Sequence, residues 1–118
     1  MRKNNKIFLL HILESIERIE KFTKNLSEED FMQSEEKQDA TVRRLEIIGE
    51  AVKNLEKSFK NKYPEVEWAK IAGMRNIIVH EYFGVDLKLT YKIVKASIPD
   101  LKNKISKILK EMKANKLI

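Results

Sequence analysis

Apolar residues recur every three or four positions along most of this chain, the spacing of a helix with one buried face. Leu9, Ile12, Leu13, Ile16 and Ile19 form the first such face, extended by Phe22, and predict a helix of about six turns. Ser27, followed by Glu28, Glu29 and Asp30, reads as an N-cap with acids in the first turn, opening a short helix through Phe31 and Met32. A second long helix is expected from about Gln38 to Lys60, with Leu45, Ile48, Val52, Leu55 and Phe59 as its seam, ending before Tyr63-Pro64. A third begins near Glu67 and carries Trp68, Ile71, Met74 and Ile78. Tyr82-Phe83-Gly84-Val85 reads as a break, and Asp86 as the cap of a helix carrying Leu89, Ile93 and Val94. Pro99 then sits in the first turn of a last helix, whose seam is Leu101, Ile105, Ile108 and Met112. No stretch alternates with period two, so no strands are expected. The prediction is an all-α fold: an antiparallel up-down bundle of four to five helices, in a single domain over residues 1–118.

Composition narrows the function classes. Zero cysteines exclude a disulfide scaffold, a thiolate metal site and a cysteine nucleophile. Three glycines and two prolines are too few for a turn-rich β chain. The start, MRKNNKIFLLHIL, has basic residues before an apolar run, but it passes into an amphipathic helical pattern with no small-residue cleavage site. With no apolar run of membrane-spanning length, a cytoplasmic location without membrane contact is expected. The net charge of +6 is uneven: residues 1–59 sum to −1 and residues 60–118 to +7. A basic half can face a polyanion, nucleic acid first among them. The lysines at 102, 104, 107, 110, 113 and 116 spread around the side away from the last seam, which a solvated face explains equally well.

Candidate chemistry is sparse. There are two histidines. His11 lies within the apolar first helix and is expected to be a partly buried, hydrogen-bonded structural residue. Their separation offers no metal-ligand spacing, and no glycine-rich phosphate loop is present, so no metal and no cofactor are expected. His80 stands in Gly73-Met74-Arg75-Asn76-Ile77-Ile78-Val79-His80-Glu81-Tyr82-Phe83-Gly84-Val85-Asp86. If the third helix continues through this stretch, Arg75 and His80 are about 140° apart around it and flank a stripe without converging. Gly73 then falls mid-helix, at a cost of about 1 kcal/mol against alanine, which close approach of another backbone would offset. That combination predicts a site completed by a second helix, of this chain or of a second subunit.

Arginine, asparagine, histidine and tyrosine grouped on a basic chain suit phosphodiester chemistry. A neutral imidazole takes a proton from a 2′-hydroxyl and its protonated form returns one to the leaving oxygen. A guanidinium grips the non-bridging oxygens. The same residues also admit a purely structural role, with Arg75 at a helix edge, His80 capping the helix end and Tyr82 anchoring the next turn.

The stretch 73–86 resembles the R-x-x-x-x-H-x-Y signature of the HepT-like branch of the HEPN superfamily. Asp39-Ala40 with Arg43-Arg44-Leu45-Glu46-Ile47-Ile48-Gly49-Glu50-Ala51 is similar to the family's second signature, and Trp68, Ile71-Ala72-Gly73 and Pro99-Asp100-Leu101 fit its pattern too. The resemblance implies a homodimeric helical bundle with two R-x-x-x-x-H motifs facing an interfacial cleft. It implies a metal-independent ribonuclease, the toxin of a toxin–antitoxin pair. The implied partners are an RNA substrate and a minimal nucleotidyltransferase antitoxin (MntA-like), which neutralises the toxin by AMPylation of the H-x-Y tyrosine. Arg75 and His80 would be catalytic, Asn76 supporting and RNA-binding, and Tyr82 the AMP acceptor. Glu46 and Glu50 read as a buried structural pairing. The alternative is a non-catalytic nucleotide- or substrate-binding subunit that partners a minimal nucleotidyltransferase.

Overall fold

Helix α1 (Asn5–Thr23) opens on Asn4, whose side chain accepts from the Ile7 backbone N–H. The computed structural model describes residues 4–80, His80 by its backbone alone, and residues 84–115. After α1 come α2 (Glu28–Gln33), capped by Ser27, and α3 (Glu35–Asn54), capped by Ser34. The expected long second helix is thus shorter: α3 ends at Leu55, whose backbone is extended, and Phe59 falls in a separate α4 (Lys57–Asn61). Next are α5 (Trp68–Ala72), α6 (Met74–Ile78), β1 (Val79–His80) and β2 (Gly84–Val85). The chain closes with α7 (Leu87–Lys92), a wide π turn (Ile93–Ser97) and α8 (Ile98–Ala114). The described chain is mostly helical, and none of its helices is long and apolar enough to cross a membrane.

Side-chain clasps give the directions. Asn5 bonds both the backbone N–H and the carboxylate of Glu56, each at 3.0 Å, so the start of α1 meets the end of α3 and the two run antiparallel. Lys95 donates to the Thr23 carbonyl, and Lys102 to the Glu20 carboxylate at 2.8 Å. Moving forward along α8 is therefore moving back along α1. Helix α1 lies between the other two long helices, and its Leu9, Ile12, Ile16 and Ile19 meet Leu45, Ile48 and Val52 of α3 and Ile105, Ile108 and Met112 of α8 in one buried cluster. Each such side chain contributes about 1.5–3 kcal/mol by leaving water. Trp68 anchors α5 to the same cluster, its indole N–H shared between the carbonyls of Lys60 and Tyr63.

Three expectations meet local detail, and two of them fail. Pro99 sits in the first turn of α8 as expected, but no break separates α8 from the helix before it. Residues 87–114 form one continuous rod in which the Ile98 N–H reaches back five residues to Ile93, and this widened turn makes room for a proline that has no N–H to give. His11 is exposed, edge-on to the Phe8 ring, because it lies about 100° around α1 from buried Ile12. Strands do occur: β1 and β2 pair antiparallel, with Val79 opposite Val85 and His80 opposite Gly84.

Candidate active site

The segment carrying the signature residues is bent twice. Gly73 ends α5 and begins α6, its φ of −92° and ψ of 6° interrupting the helix. The second bend comes at Val79, where the backbone becomes extended. Ile77, Ile78 and Val79 are all β-branched, which disfavours another helical turn and suits a strand. Gly84 then adopts φ +76°, and the Asp86 N–H bonds the Ile78 carbonyl at 2.6 Å, drawing the return strand onto the end of α6. His80 therefore stands on extended backbone, and the 140° helical separation from Arg75 does not apply.

Gly73 does not provide the expected close approach to another backbone, since a Cβ there would meet only Ala69 and Lys70 of its own segment at 3.5 Å or more. Gly49 provides one. A Cβ on Gly49 would stand 3.3 Å from the Ala72 carbonyl oxygen and 3.4 Å from that of Ile71, so α3 and α5 touch backbone to helix face at this point.

Arg75 projects from α6 with 56% of its side chain exposed, and its Nε lies 3.3 Å from Oε2 of Glu46 on α3. Because the carboxylate meets the Nε edge, the guanidinium is steadied while its outer tips stay open to an anion. Asn76 is exposed beside it, and Met74 and Ile78 root the helix in the core. Glu46 is thus paired as expected, but at the surface, about one-third exposed. Glu50 does not join it. That side chain is exposed and its carboxylate is 3.4 Å from Lys53, an ordinary pair one turn along α3. Tyr82 and the His80 side chain lie outside the described residues. Beside the Arg75–Glu46 pair, a groove of about 650 Å³ opens between α3 and β2, lined in part by Asp39, Arg43, Glu46 and Val85. Arg43 was legible only as part of a signature; its place facing β2 has no sequence signal. Among the described residues, no group of three or more histidine, aspartate or glutamate side chains is placed to hold a metal ion.

Comparison with known proteins is consistent along the chain. The family model described as "Ribonuclease HepT-like" matches residues 12–108. A Methanocaldococcus jannaschii protein named "Gamma-glutamylcyclotransferase and putative RNase" is 54% identical over 116 residues, covering 98% of this chain and 52% of that protein. The chain therefore spans about half the length of this relative. A Thermococcus cleftensis protein named "Probable ribonuclease HepT" is 46% identical across 93% of this chain and 100% of its own length. Another M. jannaschii protein, a "Putative RNase", is 40% identical across 94% and 92%. No solved structure gives a significant match.

Proposed function

Because the chain belongs to the ribonuclease HepT-like family, we propose that it is a metal-independent endoribonuclease, the toxin of a toxin–antitoxin pair, acting as a homodimer. The observation that carries the reading is the family match over residues 12–108, which takes in Arg75, Asn76, His80 and Tyr82 together. The open guanidinium of Arg75 supports it.

In this mechanism the His80 imidazole takes the proton of an RNA 2′-hydroxyl, and the freed oxygen attacks the adjacent phosphorus. The bond from phosphorus to the 5′-oxygen breaks, and an imidazolium returns a proton to that leaving oxygen. The products are a 2′,3′-cyclic phosphate and a 5′-hydroxyl. Arg75 grips the non-bridging oxygens as charge builds on them, and Asn76 orients the phosphate. Two copies of the motif face one cleft between subunits.

Purified protein incubated with RNA and excess chelator is expected to keep cleaving and to leave cyclic-phosphate ends. Activity lost to the chelator and regained with magnesium overturns the mechanism. Tight nucleotide binding without turnover favours a non-catalytic subunit instead.

The antitoxin in this reading is a minimal nucleotidyltransferase that adds AMP to Tyr82. The adduct places negative charge where RNA phosphate must sit, and so blocks the site by repulsion as well as by bulk. Intact-mass measurement after coexpression with such a partner is expected to show one AMP-sized increase per chain, absent from Tyr82→Phe. A neutralised complex with unmodified Tyr82 means that the partner acts by occlusion alone.

A further inference from the structure

The contacts between α3 and the signature segment run in opposite directions along the chain. Gly49 abuts Ala72; three residues back along α3, Glu46 pairs with Arg75, three residues forward. Three further back is Arg43, and it shares its groove with Val85, the residue that pairs with Val79 beside His80. Each turn backward on α3 is thus a step forward from the arginine of the motif toward its histidine.

Arg43 is exposed and makes no ion pair or hydrogen bond among the described residues. It is the one cation among the described residues lining a groove whose other charges, Glu35, Asp39 and Glu46, are all acidic. Those carboxylates repel a polyanion from the rest of the groove, and Glu46 is already engaged by Arg75. A phosphate entering here has a single partner, a guanidinium with its full fork of donors free.

We propose that Arg43 grips the RNA phosphate adjacent to the scissile one, a second anchor on the strand that Arg75 and His80 act upon. This rests on the ribonuclease reading above. Arg43 touches no reacting atom, so it serves binding and leaves the chemical step alone.

The test compares Arg43→Gln with the unaltered protein on two substrates. A short RNA oligonucleotide carries flanking phosphates; a dinucleoside monophosphate carries only the scissile one. On the oligonucleotide, KM is expected to rise about tenfold with kcat unchanged. The salt dependence of binding should flatten by about 0.7 in log–log slope, the loss of one single-strand phosphate contact. On the dinucleoside monophosphate the two proteins should be indistinguishable. Equal behaviour on the oligonucleotide, or an equal loss on both substrates, overturns the proposal. If the unaltered protein cleaves neither, the ribonuclease reading fails. Binding of a 2′-deoxy oligonucleotide then decides on Arg43 alone: weaker binding with a flatter salt slope in Arg43→Gln upholds the phosphate contact, and identical binding overturns it.

Discussion

RNA cleavage falls by at least about a thousandfold when His80 is replaced by alanine, and growth arrest on expression disappears with it. The expected size follows from the two proton transfers assigned to one imidazole, since a positioned general acid or base accelerates such steps by about 10²–10⁴. Arg75→Ala should lose about 10²–10³, the scale for removing a donor aimed at developing charge. Arg75→Lys should recover little, because a point charge does not reproduce a planar fork held along its Nε edge by Glu46. Neither Arg75 variant should lower the melting temperature appreciably, as the pair it breaks is more than half exposed on the arginine side. Initial rates on a defined RNA, read beside thermal melts, separate the outcomes. A cleavage rate within a few-fold of the unaltered protein in His80→Ala removes the mechanism.

Gly49→Leu is expected to destabilise the fold by about 3 kcal/mol, at the upper end for overpacking. The neighbours of its new Cβ are the backbone carbonyls of Ile71 and Ala72 at 3.4 and 3.3 Å, and they have no rotamer to move to. Relief comes only by prising α5 from α3. Activity should fall further than stability alone explains, because Glu46 and Arg75 meet one turn away. Gly49→Ala is the milder companion: the same crowding is partly offset by alanine's helix preference, about 1 kcal/mol over glycine. Denaturant midpoints for the three proteins should fall in the order glycine, alanine, leucine. A leucine variant as stable as the parent shows that the two helices are free to separate.

The buried seams were legible residue by residue. Leu9, Ile12, Ile16 and Ile19, Leu45, Ile48 and Val52, and Leu101, Ile105, Ile108 and Met112 lie in the core as their spacing requires, with Leu13 and Phe22 only partly buried, and Ser27 and Asp86 cap their helices through their side chains. Periodicity reports which face is buried, but it is blind to where a helix bends. Gly73 kept the right rhythm on both sides of a break, so α5 and α6 read as one helix. The strand at Val79–His80 is too short for alternation to register; the run of three β-branched residues before His80 was the available sign. Glu46 was recognised within a signature, yet its partner depends on α3 and α6 being adjacent, a long-range fact no local pattern contains. The same blindness gave Glu50 a shared role that its outward direction denies it.

The wide turn at Ile93–Ser97 ties two features of this chain to each other. A π turn holds one residue more than an ordinary turn, so a deletion there would leave the flanking faces in phase, whereas a deletion elsewhere in the rod would swing everything beyond it by about 100°. A regular turn at that spot would drive the Pro99 ring into the carbonyl of Lys95. Extra residue and imino acid are therefore a matched set: a one-residue deletion in the wide turn is compatible with the rod only when Pro99 is replaced as well.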